Sequence, residues 1–367
     1  MSTRFSINPD IARAETLPAE FYRSRAFFDE SKQALFARSW QFLCDGREVA
    51  APGQLLPVTL LPGMLDEPLL VSRDRNDALH VLSNVCTHRA NILIEGACAA
   101  NTIRCRYHGR RFGLDGACQF MPEFEGVQNF PSERDNLPQV QFREWRGFIF
   151  AALDNAPVFE EIFGEIERRV GWMPVEQFVY EPSLSREYAV RAHWALYCEN
   201  YLEGFHIPYV HAGLSGALDY GQYTTELFEF ANLQTGIASR GEICFELPQT
   251  SPDFGKNVAA YYFWVFPNLM LNFYPWGLSV NVVRPAAPEL TKVAFLTYVW
   301  RPELLGAGAG AGLDRVERED EAIVENVQKG IRSRLYDRGR YSAKRETGTH
   351  HFHRLIDRYF TTEPGTM

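Results

Sequence analysis

The chain has 367 residues, of which 46% are apolar and 23% charged, and its net charge is −9 at pH 7. This length suggests two domains, and the ordinary charged fraction excludes wholesale disorder. The negative charge excludes the basic face on which sequence-independent nucleic-acid binding depends. No apolar run reaches the roughly 18–20 residues of a membrane span, and we expect no export signal at the start. Seven cysteines, an odd number, fit a reducing compartment better than a disulfide framework, so we expect a cytoplasmic protein.

The first 155 residues fall into two stretches of different character. Within residues 1–40, a capping residue followed by apolar residues at helical spacing predicts a helix over Asp29–Trp40. From residue 41 to 155, short apolar runs alternate with Gly, Pro, Asn and Asp, which is typical of a small sheet-rich domain. We therefore expect an N-terminal helical segment, residues 1–40, followed by a β-domain, residues 41–155.

The rest of the chain, residues 156–367, mixes helices and strands. Helices are predicted at 157–172 and near 194–206 and 314–336, and strands at 261–266, 269–274, 278–283 and 292–300. The run GAGAGAG at 306–312 is predicted to be a flexible connector. A β-domain followed by a mixed half predicts an α+β protein with two unlike parts.

Two short motifs of the β-domain each contain one cysteine and one histidine. Cys86 and His88 form C-T-H, and after sixteen intervening residues Cys105 and His108 form C-R-Y-H. Two thiolates and two imidazoles suit a tetrahedral zinc ion or a two-iron cluster. A [2Fe–2S] cluster in which one iron takes both cysteines and the other both histidines needs one residue of each type from each loop, and this spacing supplies them. Zinc, and four unrelated buried side chains, are the alternatives at this point.

The segments CTHRAN and CRYHGRRFGLDG resemble the two cluster loops of Rieske proteins. The sequence departs from that pattern at Ala90, where glycine is common, and at Arg110 and Arg111, where a tryptophan is frequent. None of these is a ligand position. The resemblance therefore implies that the two cysteines and two histidines hold a Rieske-type [2Fe–2S] cluster.

A second constellation lies in the stretch ENYLEGFHIPYVH. At about 100° per residue, Glu199, Glu203 and His206 fall on one face of a helix whose other side chains are mostly apolar. Buried carboxylates are costly unless they are paired or bound to a cation, so this polar stripe indicates a metal. Pro208 is expected to break the helix and to let His211 turn back toward the same point.

The third ligand of a two-histidine, one-carboxylate iron site would come from elsewhere in the chain. On a helical wheel of the late helix RVEREDEAIVENVQKGIRSRL, Asp320 lies at the centre of the apolar stripe, and Glu319 and Glu321 lie on the solvent side. The stripe consists of Val316, Ile323, Val324, Val327, Ile331 and Leu335. Asp320 is therefore the carboxylate that we expect to face the two histidines.

The pattern E-x-x-H-x-x-x-x-H, followed downstream by ED-x-x-I-V-E-N-V-Q-K-G, resembles the catalytic domain of Rieske non-haem iron oxygenases, large (α) subunit. The resemblance covers almost the whole chain. It implies a helix-grip fold for residues 156–367, a curved antiparallel sheet around a long helix, on which residues 1–40 pack. It also implies Fe(II) held by His206, His211 and Asp320, O2 as co-substrate, and a homotrimer.

In this family an acidic residue bridges the iron histidine of one subunit and a cluster histidine of the next. Glu203 matches that position, and His108 is the expected partner. The position is most often Asp, and Glu is found in the branch similar to choline monooxygenase and carnitine oxygenase. The resemblance implies O2-dependent hydroxylation of a small substrate such as a quaternary ammonium compound, with N-dealkylation if the attacked carbon is on nitrogen. The alternative is an aromatic-ring hydroxylating dioxygenase or an aromatic O- or N-demethylase.

The source of electrons is expected to be a second protein. The chain has no glycine-rich nucleotide-binding motif after a strand. We therefore expect a separate NAD(P)H-dependent reductase, acting directly or through a ferredoxin.

Overall fold

The computed structural model describes residues 4–211 and 217–362. The chain divides into two compact units, one of residues 40–154 and one in which residues 1–39 join residues 155–367. Within the second unit the N-terminal segment is fastened to the C-terminal helix, because Asp357 accepts a hydrogen bond from the backbone N–H of Phe5 (2.7 Å). No described helix combines the length and the apolar character that crossing a membrane requires.

All of residues 40–154 are described, and they form three antiparallel sheets. The strands are β1 (Gln41–Asp45), β2 (Gln54–Leu60), β3 (Glu67–Arg73), β4 (Leu79–Ser83), β5 (Cys98–Ala99), β6 (Ile103–Arg104), β7 (Arg111–Phe112), β8 (Cys118–Phe120), β9 (Gln141–Trp145) and β10 (Phe148–Ala152). The sheet orders are β1-β10-β9, β4-β3-β2-β5 and β6-β7-β8. This unit is the sheet-rich half that the sequence predicts.

Two apolar clusters form the core of this unit. One contains Leu69 and Ile149, and the other contains Leu82 and Phe112 together with the two predicted ligand cysteines. Those cysteines are therefore held inside an apolar core rather than at the tips of exposed loops.

The other unit contains helices and a large sheet. Its helices are α1 (Ala19–Arg23), α2 (Arg25–Ser31), α3 (Phe159–Val170), α4 (Trp194–Tyr201), α5 (Ile207–Val210), α6 (Leu313–Ile331) and α7 (Thr347–Thr361). Its strands are β11 (Val179–Tyr180), β12 (Arg186–Val190), β13 (Thr224–Leu227), β14 (Ala231–Ile237), β15 (Val258–Val265), β16 (Leu269–Tyr274), β17 (Gly277–Ala287) and β18 (Leu290–Val299). Among the described residues, these strands pair antiparallel in the order β11-β18-β17-β16-β15-β14-β13, and β12 also pairs with β18.

This sheet and the long helix α6 confirm the predicted α+β class, and helix α4 packs against both α6 and β17. Because side chains alternate between the two faces of a strand, Asn272 and Tyr274 of β16 share one face. Tyr262 of β15 stands opposite Asn272 in the register, so it joins them on that face. The three side chains line a cavity that is described below.

Several predicted elements are confirmed with small shifts at their ends, namely the helix at 157–172 and the four strands between 261 and 300. The predicted helix over Asp29–Trp40 is wrong in its bounds. Helix α2 begins earlier, because Ser24 and not Asp29 caps it, and it continues as a π-helical turn over Lys32–Phe36. Asp29 instead pairs with Arg25 one turn before it (2.8 Å).

The prediction of a flexible connector at 306–312 is also wrong. The segment contains a 3-10 turn over Gly308–Gly310, and Ala309 and Gly310 are buried. A Cβ at Gly310 would collide with the indole of Trp276. The small residues therefore allow close packing of this segment.

Candidate metal centres and the adjoining cavity

The two predicted cluster loops have the same backbone geometry. The first follows the bridge between Val85 and Ile92, and the second connects β6 to β7. The N–H of Cys86 donates to the carbonyl of Asn91 (2.9 Å), and the N–H of Cys105 donates to the carbonyl of Arg110 (2.8 Å). Each loop therefore closes on itself five residues after its cysteine, and the histidine lies within the closed turn in both loops.

The four side chains of these loops form a donor set that fits an iron–sulfur cluster. Cys86 and Cys105 are both 2% exposed, and the rings of His88 and His108 lie 4.9 Å apart at 77°. The Nδ1 atoms of both histidines are buried and have no hydrogen-bond partner among the described residues. Buried polar atoms are normally paired, so two unpaired ring nitrogens beside two buried thiols are what a metal centre would require. Burial, followed by nearby positive charge, lowers the pKa of His88 and keeps it in the neutral form that binds metal.

A buried ion pair supports the second loop, and sequence reasoning missed it. Arg110 is 2% exposed, its guanidinium contacts Asp135 (2.6 Å), and its Nε donates to the sulfur of Cys118 (3.5 Å). The carbonyl of Asp135 accepts a hydrogen bond from Thr87 in the first loop (2.6 Å). Asp135 thus links the two loops. The only feature of the sequence that pointed to this ion pair was the arginine at position 110, where the Rieske pattern frequently has a tryptophan.

The predicted mononuclear site is brought together by the structure. His206, His211 and Asp320 each offer a ligand atom, and all three atoms lie within 4.8 Å of one another. The Nε2 atoms of both histidines face Oδ1 of Asp320, at 3.4 Å from His206 and 3.0 Å from His211. Asn200 at the end of α4 donates a hydrogen bond to the same oxygen (2.7 Å). The arrangement provides two imidazoles and one carboxylate around a single point, which is the donor set of a non-haem iron site.

Glu203 holds the first of these histidines. Its Oε1 contacts Nδ1 of His206 (2.7 Å), and its Oε2 accepts the backbone N–H of His206 (3.1 Å). A carboxylate on Nδ1 orients the ring so that Nε2 is free for a metal. The sequence predicts that Glu203 and His206 are close because they share one face of a continuous helix. That reason is wrong, because α4 ends at Tyr201 and no helix continues to position 206. The loop after Tyr201 brings the two side chains together.

Glu319 holds the second histidine, contrary to its predicted place on the solvent side of the late helix. Its Oε2 contacts Nδ1 of His211 (2.9 Å). Burial lowers the pKa of His211, but the carboxylates of Asp320 and Glu319 outweigh burial and raise it. Both histidines therefore have a carboxylate on Nδ1 and direct Nε2 toward Asp320.

The predicted apolar stripe of helix α6 is only partly right. Val324 and Ile331 are buried as predicted, but Ile323 and Val327 are 38% and 43% exposed, and Leu335 lies beyond the end of the helix and is 99% exposed. The inward face follows the spacing 317, 320, 324, 328 and 331, and its first two members are acids. The helical wheel misplaced this face because the sequence does not distinguish polar residues that line a cavity from polar residues that face solvent.

A small cavity adjoins the three ligand groups. Its volume is about 90 Å³, well below the usual range for a drug-sized ligand. The lining includes the three ligand side chains, and five tyrosines: Tyr197, Tyr201, Tyr223, Tyr262 and Tyr274. The rings of Tyr262 and Tyr274 are 5.9 Å apart at 79°, and Tyr223 lies 6.4 Å from Tyr262 at 31°. The tyrosines therefore form an aromatic corner beside the site.

One further acid, Glu317, faces this cavity, and sequence reasoning did not single it out. Its Oε2 accepts a hydrogen bond from the hydroxyl of Tyr197 (2.7 Å). Burial and the charge of Asp320 raise the pKa of Glu317 to about 8. A second cavity, of about 450 Å³, shares Glu317 and Leu313 with the first one.

Comparison with known proteins identifies the families of both parts of the chain. Residues 39–131 match the family described as the Rieske [2Fe-2S] domain, and residues 171–362 match the family described as the ring hydroxylating alpha subunit (catalytic domain). The chain belongs to the ring hydroxylating alpha subunits. It is a Rieske-type oxygenase, so the predicted fold class, enzyme class and pair of cofactors, a [2Fe–2S] cluster and a non-haem iron, are confirmed.

The oxygenase is similar along almost its whole length to curated relatives. It is 31% identical to the choline monooxygenase of Arabidopsis thaliana, over 96% of this chain and 85% of the relative. It is 30% identical to the carnitine monooxygenase oxygenase subunit of Escherichia coli (strain K12), over 97% of this chain and 96% of the relative. These relatives belong to the branch that Glu203 predicts.

Solved structures give the same picture. The oxygenase superposes on the quaternary ammonium Rieske monooxygenase CntA with a TM-score of 0.78 and 26% identity, covering 98% of both chains. It superposes on naphthalene 1,2-dioxygenase with a TM-score of 0.71 and 18% identity, covering 97% of this chain and 95% of the other. The second likeness extends to the fold alone.

Proposed function

We propose that this oxygenase hydroxylates a small quaternary ammonium compound with O2, and that N-dealkylation follows when the hydroxylated carbon is bound to nitrogen. The mononuclear iron supplies O2 activation when it is bound, and His206, His211 and Asp320 are the residues that would hold it. Cys86, His88, Cys105 and His108 would hold the [2Fe–2S] cluster that delivers electrons.

The tyrosine corner beside the iron site is the observation that carries the choice of substrate. Tyr262 and Tyr274 meet edge to face, with ring centroids 5.9 Å apart, and give one side of the cavity an aromatic surface that a compact cation can contact. Each such contact contributes about 0.5–2 kcal/mol. No lysine or arginine lines the cavity among the described residues, whereas Glu317 and Asp320 do. The cavity therefore favours a cation over an aromatic carboxylate, and its small volume favours a compact head group.

The relatives support the same substrate class. Choline monooxygenase and the carnitine monooxygenase oxygenase subunit both act on small quaternary ammonium compounds, as their names state. One solved structure of CntA contains L-carnitine and another contains gamma-butyrobetaine. We propose the class of substrate for this chain and not one of these compounds.

The electron path requires partners that we also propose. The electrons come from a separate NAD(P)H-dependent reductase, directly or through a ferredoxin. Three copies of the chain assemble, and Glu203 of one copy, already bound to His206, receives the cluster histidine His108 of the next. A study of CntA refers to inter-subunit electron transfer, which supports this assembly.

We propose a reducing, cytoplasmic setting for this assembly. All seven cysteines are free thiols, and two of them are the proposed cluster ligands. A reducing compartment preserves both the free thiols and the cluster.

Oxygen uptake tests the proposed substrate class. The iron-loaded oxygenase, coupled to a Rieske-oxygenase reductase and NADH, is given choline, L-carnitine or glycine betaine in one series and benzoate or salicylate in another. We expect substrate-dependent O2 uptake with at least one quaternary amine, and formaldehyde where an N-methyl group is attacked. Omission of the reductase is the control. Uptake with the aromatic acids alone would overturn the proposal in favour of an aromatic-ring dioxygenase or demethylase.

A further inference from the structure

Among the described residues, four acidic side chains lie in or beside the small cavity, and only that of Glu317 has no role at the metal site. Glu203 and Glu319 bind the Nδ1 atoms of the two histidines, and Asp320 faces their Nε2 atoms. Glu317 contacts neither histidine. It lies one helical turn before Asp320 on α6, and its side chain lines the cavity, where the described lining contains no lysine or arginine.

We propose that the Glu317 carboxylate makes the ionic contact with the onium group of the substrate, and that it determines the preference of this oxygenase for a cation over a neutral molecule of the same shape. This inference rests on the proposed function, because it assigns a residue to the recognition of a quaternary ammonium compound.

The geometry prepares one carboxylate oxygen for a ligand. The hydroxyl of Tyr197 donates to Oε2 (2.7 Å) and fixes the orientation of the group. The other oxygen, Oε1, has no hydrogen-bond or ion-pair partner among residues 4–211 and 217–362. Burial raises the pKa of Glu317 to about 8, so the acid is mostly protonated near pH 7 without a cation beside it. A quaternary ammonium group supplies the positive charge that favours the carboxylate form, and it needs no hydrogen-bond acceptor.

The position of Glu317 also suits the size of such a substrate. The small cavity of about 90 Å³ holds the tyrosine corner and has room for a compact head group. The larger cavity of about 450 Å³ begins at Glu317 and Leu313. A head group held at Glu317 therefore leaves the rest of the substrate facing the larger cavity.

Binding of a matched pair of ligands tests the proposal. Choline and 3,3-dimethylbutan-1-ol have the same shape, but a carbon replaces the charged nitrogen in the second. Calorimetry on the iron-loaded oxygenase at about pH 9, above the pKa of about 8 of Glu317, is expected to show tighter binding of choline. In Glu317→Gln, which retains an oxygen for the Tyr197 hydroxyl, choline binding should weaken by about 30-fold or more while binding of the alcohol changes little.

A control variant on the same helix separates a local contact from a general change of charge. Glu321→Gln removes one negative charge from α6 at a residue that lines neither cavity, and it should leave the preference for choline unchanged. Iron content and the visible spectrum should be the same in both variants and in the native enzyme.

The outcomes distinguish this inference from the proposed function. If the native oxygenase prefers choline and Glu317→Gln retains that preference, the role of Glu317 is wrong and the proposed function stands. If the native enzyme binds the alcohol as tightly as choline and takes up O2 with no quaternary amine, both proposals are wrong.

Discussion

Ala90 and Gly109 occupy equivalent positions in the two cluster loops, and both have positive φ angles, 55° and 78°. Their N–H groups donate to the carbonyls of Cys86 and Cys105, each at 3.0 Å, so the loops need this left-handed turn. Glycine adopts it freely, whereas an alanine pays roughly 1–2 kcal/mol. The alanine at position 90, where the Rieske pattern commonly has glycine, is therefore strained, while the loop backbone keeps the same turn as the second cluster loop.

Replacement of this alanine is predicted to stabilise the first loop. Ala90→Gly removes the strain but also increases the freedom of the unfolded chain, so we expect a net gain of up to about 1 kcal/mol. Gly109→Ala should have the opposite effect, because the new Cβ would lie 3.3 Å from Cγ of Pro122 and would be strained at the same φ. Thermal loss of the visible absorption of the cluster measures both. A lower midpoint for Ala90→Gly would contradict this account.

At the scale of elements, helix α3 is tied to the large sheet by a buried ion pair. Arg169, 6% exposed, contacts Asp253 (2.8 Å) and Glu226 on β13 (2.8 Å), and Tyr261 on β15 donates a hydrogen bond to Asp253 (2.9 Å). Burial by itself raises the pKa of Asp253, but Lys256 and Arg169 outweigh it and lower the pKa. The pair therefore stabilises the fold fully above the pKa of an unfolded aspartate, about 4, and this stabilisation is lost as the pH falls from there through the lower pKa of the folded carboxyl group.

Removal of Asp253 should lower the free energy of unfolding more than removal of Glu226. Asp253→Ala removes the buried partner of Arg169 and leaves that arginine with only the half-exposed Glu226, and breaking a buried pair typically costs about 3–5 kcal/mol. Glu226→Ala removes the half-exposed partner of the same arginine and should cost at most about 1 kcal/mol. Urea denaturation at pH 7, followed by far-UV circular dichroism, compares the two midpoints. Equal shifts would show that burial of Asp253 does not decide the strength of the pair.

The limits of prediction from sequence also lie at the scale of elements. Strands β15 to β18 were predictable because their long apolar runs leave little choice of structure. Helix α4 was predicted too long because apolar periodicity continues past Tyr201, where the chain in fact turns. On α6, Glu319 was wrongly placed on the solvent side and Glu317 was not singled out, because a helical wheel is read on the assumption that acids face water. Acids that face a cavity or a metal ligand reverse that rule.

For the whole molecule, the two sets of proposed ligands differ in how the sequence reveals them. Cys86, His88, Cys105 and His108 lie in two short loops of the unit of residues 40–154, so their spacing alone was informative. His211 and Asp320 are 109 residues apart in sequence, and only the folded unit brings them to 3.0 Å. Only the resemblance to Rieske oxygenases indicated that these two distant segments contribute to one site. The hydrogen bond between Glu319 and His211 could not be predicted, because no short sequence pattern contains both residues.

Two centres in two units lead to a reciprocal prediction. Asp320→Ala removes the carboxylate that faces both histidines, so it should abolish turnover and reduce iron from about three to about two per chain, while the red-brown spectrum stays unchanged. Cys86→Ala should instead remove the colour and stop multiple turnovers. Each variant is the control for the other, because both delete a proposed ligand and only one belongs to the cluster. Bleaching of the cluster in Asp320→Ala, or an unchanged spectrum in Cys86→Ala, would show that these ligands were assigned to the wrong centre.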